Sequence, residues 1–247
     1  MKFERIEKQS ASAVCASALR RAILSGEMKA GQRLPPERRL AEEFGVNRLT
    51  LRAALAQLLA VGLITVKQGS GYTVGDVARV GGLDLLPEIV DMAREQDELT
   101  RLVSDLLNVR RSLASSVLGR LAQGGSEEDF ERIAKAVDEF ERVASQGSPL
   151  VHAFVEADFN IVAAMVDGIN SPIMRMCINP VLLAVAQIGE LAGAMYVDPK
   201  DNLAGHRLLL SWLRQPNLAP LQTIIDELAK RDEQTIARMR AMTKELS

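Results

Sequence analysis

Two cysteines are all that 247 residues contain. Cys15 and Cys177 lie far apart without CxxC spacing, which excludes a disulfide framework or a zinc knuckle and leaves thiols that are simply buried or on the surface. Histidine is as scarce, with only His152 and His206, so too few ligands are present for a transition-metal site; no metal and no cofactor is expected. No apolar run approaches the roughly 18 residues that a membrane helix needs. The first ten residues, MKFERIEKQS, lack the apolar core of a signal peptide, so a cytoplasmic chain without membrane contact is expected. Catalytic signatures are missing too. There is no nucleophile elbow, no HExxH and no phosphate-cradling glycine loop, which argues against an enzyme. Internal repeats and low-complexity tracts are also missing.

What is present is concentrated in residues 34–74, LPPERRLAEEFGVNRLTLRAALAQLLAVGLITVKQGSGYTV. Pro35 and Pro36 suit the first turn of a helix and no later position, so a short helix is predicted to begin there, bury Leu40, Ala41 and Phe44, and stop at Gly45. Asn47 is placed to cap a second helix, along which Leu51, Ala54, Leu55, Leu58 and Leu59 recur at helical spacing as a core stripe. Opposite that stripe lie Leu49, Ala53 and Ala56, flanked by Thr50, Arg52 and Gln57. Small side chains there let the backbone approach a groove. Arg48 and Arg52 occupy the first turns, where a recognition helix meets phosphates and base edges, and Arg38 precedes them on the shorter helix. Gly62 ends the helix, and Leu63 to Lys67 and Tyr72 to Val74 read as two strands joined by Gln68-Gly69-Ser70-Gly71, a tight tip. The order of these signals predicts a winged helix-turn-helix. A preceding helix, about Ser12 to Ser25, is predicted to pack beneath it through Val14, Ala18, Ile23 and Leu24.

Charge divides the chain independently. Residues 1–75 hold 12 Lys+Arg and 6 Asp+Glu; subtracting from 30 and 32 leaves 18 and 26 for residues 76–247. A basic head of net +6 therefore precedes an acidic body of net −8. Phosphate backbones attract the first and repel the second, so the head alone is expected to meet double-stranded DNA, with salt-dependent affinity. The predicted organisation is a winged-helix DNA-binding domain over 1–75, a glycine-bearing linker over 76–83, and an effector-binding and dimerisation domain over 84–247.

The body reads as all helix, with segments at about 86–96, 98–121, 126–145, 149–167, 171–196, 202–214 and 218–243, hence an antiparallel bundle. The fold class is mainly α, with a small β-wing. Four polar residues fall on inward helix faces: Arg110 between Leu106 and Leu113, Asp158 between Phe154 and Ile161, His206 between Leu203 and Leu210, and Asp232 between Leu228 and Thr235. A buried charge needs a partner because desolvation costs several kcal/mol. Either Arg110 and Asp158 satisfy each other as a packing salt bridge, or Arg110 holds an anionic group of a small-molecule effector while Asp158, His206 and Asp232 bond its polar atoms.

The run LPPERRLAEEFGVNRLTLRAALAQLLAVGLITVKQGSG resembles the GntR-type transcription regulators, in particular the FadR-like branch. That resemblance implies operator contacts from Arg38, Arg48, Thr50 and Arg52, with Gln68 and Gly69 at the wing tip; Leu49 stands where a polar residue is common. Downstream, GLDLLPEIV, LVSDLLNVRRSL, HAFVEADFNIVAAMVDGINSPIMRM and HRLLLSWL follow the FadR-type C-terminal layout in order. The resemblance implies a homodimer that reads a pseudo-palindrome and answers to a metabolite. The best-known member senses acyl-CoA through a glycine, a serine and a tryptophan on its last helix, where this chain has Ala229, Asp232 and Ile236, so a small organic acid is the favoured effector. A regulator answering to acyl-CoA and a DNA binder without an effector are the alternatives. In the related FCD branch, an Asp and three His bind a divalent metal; the matching positions here are Asp158, Val162, His206 and Leu228.

Overall fold

The computed structural model describes residues 10–67, 71–146 and 150–245, which divide into two compact units, one up to Glu95 and one from Gln96. The first unit begins with α1 (Ala11–Leu24), whose first turn is capped by the Ser10 hydroxyl. Cys15, Ala16, Leu19 and Ile23 form its buried face, with Leu19 three and four residues from Ala16 and Cys15, and Ile23 four further on. Val14, at 51% exposure, and Ala18 point outward, so the expected inner face is corrected by one position.

The predicted helix-turn-helix follows. Helix α2 (Glu37–Glu43) starts directly after Pro36 and buries Leu40 and Ala41, and the chain turns at Gly45 with φ +62°. Helix α3 (Arg48–Ala60) is capped by Asn47, whose side chain accepts from the Thr50 N–H at 2.8 Å. Leu51, Ala54, Leu55 and Leu58 are fully buried; Leu59 is 42% exposed and drops out of the predicted stripe. Strands β1 (Ile64–Lys67) and β2 (Gly71–Val74) pair antiparallel with Ile64 opposite Val74 and Lys67 opposite Gly71. The stretch before α2 adds to this sheet. The Leu34 N–H donates to the Tyr72 carbonyl and the Val74 N–H to the Gln32 carbonyl, both at 2.9 Å. Gln68 and Gly69, the expected wing tip, lie outside the described residues.

The expected linker is partly ordered: α4 (Val77–Val80) is capped by Asp76. Next, α5 (Leu86–Glu95), expected in the body, packs on α1 and belongs to the first unit. Its Glu88, 7% exposed, meets Arg20 Nη1 at 2.9 Å, and Arg20 also reaches Gln57 of α3 at 3.4 Å. Arg21 pairs with Glu95. Periodicity shows that a helix has an apolar face but not what covers it, which is why α5 went to the wrong partner. With α5 and α4 counted in, residues 1–95 hold 14 Lys+Arg and 11 Asp+Glu, so the basic excess falls to +3.

The second unit is helical throughout its described residues: α6 (Leu99–Gly124), α7 (Glu127–Ala144), α8 (Val151–Gly168), α9 (Pro172–Gln187), α10 (Gly189–Met195), α11 (Pro199–Arg214) and α12 (Leu221–Glu245). The predicted single helix over 171–196 is two, bent by 91°. Ile188 is extended (φ −90°, ψ 92°) and fully buried, so the bend turns one long apolar run into two core-lining pieces. Among the described residues no single helix is long and apolar enough to cross a membrane. Helix α6 runs through the unit and touches α8, α9, α11 and α12. Phe140 of α7, Leu107, Leu118 and Leu121 of α6 and Ile133 are among its fully buried side chains. Cys15 is buried and Cys177 exposed, and neither forms a disulfide.

Candidate effector cavity and nucleic-acid surface

Because Asn47 caps α3, the first turn of that helix presents its side chains outward. Arg48 is exposed and has no ion-pair partner among the described residues. Arg52 is also exposed, with Nε 2.8 Å from Glu37 Oε2 of α2, and Arg38 lies 3.7 Å from Glu42. Exposed ion pairs of this kind contribute little and open readily when a phosphate competes. Thr50 is half-buried, and Leu49, an apolar side chain, stands 79% exposed between Arg48 and Thr50.

In the second unit, the four inward polar residues come together around two adjoining cavities, but in different pairs from those expected. Arg110 does not meet Asp158. Its Nη2 donates to Asp232 Oδ1 at 2.5 Å, and Arg111 donates to the other carboxylate oxygen. Asp232 is 5% exposed, so two guanidiniums from α6 grip one buried carboxylate on α12. Burial pushes the Asp232 carboxyl above the usual carboxylate range, against the pull of both arginines.

Asp158 of α8 has partners of its own. The Tyr196 hydroxyl donates to Oδ2 at 2.8 Å, and His206 Nε2 lies 3.0 Å from Oδ1. That second approach is close enough for a charge pair, yet Nε2 has no aligned hydrogen bond. Burial alone would raise the Asp158 carboxyl; the His206 charge, the Tyr196 hydroxyl and the Arg110 charge outweigh it and hold the carboxyl low. Burial and the neighbouring Asp158 carboxylate keep the Tyr196 hydroxyl firmly protonated, hence a donor. An aromatic floor fixes the group. The Phe140 ring meets His206 edge-on at 5.1 Å between centroids, and Phe154 stacks on Tyr196 at 5.7 Å.

A depressed carboxylate pKa stabilises the fold fully above the ordinary value of about 3.9, and that contribution is lost as pH falls through the lowered folded-state value. The stability advantage of the wild type over Asp158→Asn is therefore expected at pH 6 and should shrink towards pH 3. Asp232, shifted the opposite way, is present in both proteins and cancels in the difference. Urea unfolding at the two pH values, followed by circular dichroism, checks this; an equal advantage at both would remove the charge pair from the account.

The larger cavity, about 150 Å³, is walled by apolar side chains of α6, α8, α9 and α12, among them Val117, Ile161, Val162, Val181 and Leu228. The smaller, about 120 Å³, is the more polar of the two, with Asn202, Arg231, Gln234 and Arg238 in its wall alongside Leu208, Leu209 and Ile224. Arg110, Asp158 and His206 border both. Arg111, Tyr196, Phe140 and Phe154 were not singled out from the sequence. Arg111 stood beside Arg110 on the helix flank, while Tyr196 was visible as a lone hydroxyl closing an apolar run, a group that needs a partner once buried.

A helix-turn-helix with a β-wing followed by an all-helical unit enclosing a mixed cavity defines a transcriptional regulator. Residues 12–74 match the bacterial regulatory proteins, gntR family, and residues 105–242 match the FCD domain. The chain belongs to the gntR family and carries an FCD domain. The HTH-type transcriptional regulator Mce2R of Mycobacterium tuberculosis is 33% identical over 172 residues, covering 66% of this chain and 68% of that protein. The fatty acid metabolism regulator protein of Cronobacter sakazakii is 28% identical over 185 residues (75% and 73%), consistent with a FadR-like placement. The HTH-type transcriptional regulator LutR of Bacillus subtilis is 31% identical over 159 residues (64% and 68%). In fold, the chain is similar to Lar, which controls expression of the Listeria monocytogenes agr system, with a TM-score of 0.55 at 16% identity over 98% of this chain and 99% of that one.

The metal that the FCD branch implies does not fit these residues. Val162 and Leu228 line the apolar cavity beside Asp158 and His206, and neither has a lone pair to give. Asp158 is already engaged by Tyr196 and His206. Among the described residues no group of three or more His, Cys, Asp or Glu could hold a metal ion.

Proposed function

We propose that this regulator binds a pseudo-palindromic operator as a homodimer and that a small organic molecule in the cavity of the second unit modulates binding. The observation that carries the DNA half is the capped α3 with Arg48 at its start, exposed and without an ion-pair partner among the described residues, beside Thr50 and Arg52. Arg48 and Arg52 serve phosphates and base edges, and Arg38 reaches the backbone from α2. Leu49 offers no hydrogen bond; its readout is apolar, such as contact with a thymine methyl. One helix reads only a few base pairs, so a two-fold pair supplies the specificity a genome demands.

The cavity, bordered by Arg110, Asp158, His206 and Asp232, is the effector site. Its larger compartment, about 150 Å³, is the size of a cavity that holds one benzene and too small for a long acyl chain, which favours a small acid over acyl-CoA. Effector and operator affinities are then reciprocally linked.

Selection of random duplexes with the full chain should enrich a two-fold-symmetric sequence. On that duplex, Arg48→Ala is expected to weaken binding by about tenfold or more, corresponding to the loss of roughly 1–3 kcal/mol of contact. If Arg48 contacts a phosphate, the salt slope should fall by about one as well. Enrichment of no sequence, or an Arg48→Ala protein that binds as the wild type does, would sink this reading.

A further inference from the structure

We infer that this FCD domain holds its effector without a metal, as a compact apolar monocarboxylic acid whose carboxylate replaces Asp232 on Arg110. The inference rests on the effector reading above and names the ligand class and the device that admits it. Asp232 already sits as a bound carboxylate would, one oxygen to Arg110 and the other to Arg111. It is a resident occupant of an anion site built from α6. Burial penalises its charge, so the arginines hold a partner whose ionised form is costly to keep there. An incoming acid that brings its own apolar body into the cavity offsets that cost by burying surface as it binds.

The apolar side fixes the body. At about 150 Å³ the larger cavity matches a space that holds a benzene-sized group. Val162 and Leu228, standing where the FCD branch needs metal-binding histidines, supply part of that apolar wall. A dicarboxylate or tricarboxylate would place a second charge against valine and leucine, where an unpaired ion costs several kcal/mol. His206, whose Nε2 lies 3.0 Å from Asp158 Oδ1 without an aligned hydrogen bond, borders the same space. The displaced Asp232 also lines the smaller cavity, whose wall includes Arg231 and Arg238, and so keeps access to water and a cation. Because Asp232 is on α12 and Arg110 on α6, the exchange loosens the ionic tie between these helices within the unit.

Calorimetry on the full chain in EDTA, with benzoate and hexanoate as probes and citrate, palmitoyl-CoA and zinc ions as comparators, tests this. Benzoate or hexanoate should bind equally well with EDTA or with zinc, and Arg110→Gln should lose at least tenfold in affinity. Asp232→Asn, which removes the resident anion and keeps the side-chain shape, should bind the acid at least tenfold more tightly. Weaker binding by a folded Asp232→Asn, or acid binding that needs zinc, overturns the inference; if that variant does not fold, the EDTA comparison and Arg110→Gln decide. Binding of citrate or palmitoyl-CoA alone overturns the ligand class and leaves the effector reading standing. No binding by any compound, with operator affinity unchanged by all of them, overturns both.

Discussion

Gly75→Ala is expected to unseat the wing and abolish operator binding. A Cβ at this position would lie 2.4 Å from the Gly62 carbonyl oxygen and 3.3 Å from that of Leu63. Both obstacles are backbone, so no rotamer change relieves the clash. The Gly75 N–H donates to the Leu63 carbonyl at 2.8 Å, which locks the end of β2 against the entry to β1. Forcing the two apart breaks that bond and shifts the strand pairing that positions the wing. Overpacking a core with one methylene typically costs about 1–3 kcal/mol, and a rigid backbone obstacle puts the loss at about 3 kcal/mol. Gly124→Ala is the control: nothing lies within 4 Å of its added Cβ at the end of α6. Urea unfolding and fluorescence anisotropy with the selected duplex should show a destabilised, non-binding Gly75→Ala and a Gly124→Ala close to the wild type. A Gly75→Ala protein of normal stability and affinity would show that the wing root tolerates a side chain.

Gly75 also shows where sequence reasoning stops. In the sequence it joins Gly81 and Gly82 in what reads as a linker, since glycine without helical periodicity signals a break. Structurally it is a close-packing residue, and only the position of Gly62 in space reveals that. The helix-turn-helix was legible because its signals are local: the Pro-Pro start, the Gly45 turn, the Asn47 cap and the leucine stripe each act within one turn of chain. Partners of α5 and Arg110 are not local. Helical phase placed Arg110 inward, yet the choice between Asp158 and Asp232 depends on how α8 and α12 sit against α6. The break at Ile188 was hidden for a related reason: an apolar run looks the same straight or bent, and one extended residue before Gly189 carries the bend. The acidic cluster of α5 was read as part of an acidic body, whereas Glu88 and Glu95 neutralise Arg20 and Arg21 of α1.

Phe140→Ala carries the largest effect expected in the second unit. Its ring is fully buried and lies 5.8 Å from the Phe154 ring, 6.5 Å from Tyr196 and 5.1 Å from His206. Truncating a buried phenylalanine costs about 3–5 kcal/mol through lost transfer energy and the cavity left behind. Here the cavity opens beneath the two groups that orient Asp158, so His206 and Tyr196 gain rotamer freedom that the ring had denied them. Effector binding should therefore fall further than the unfolded fraction explains. Phe140→Leu separates the two consequences. It retains much of the apolar volume and should cost less stability, yet it lacks the ring that packs crosswise on His206, so effector affinity should still drop. Chemical denaturation by circular dichroism, with calorimetry on benzoate or hexanoate at a concentration of denaturant that leaves the protein folded, measures both. Equal affinity in wild type and Phe140→Leu would reduce the ring to a core filler and return the positioning of His206 to the Asp158 carboxylate alone.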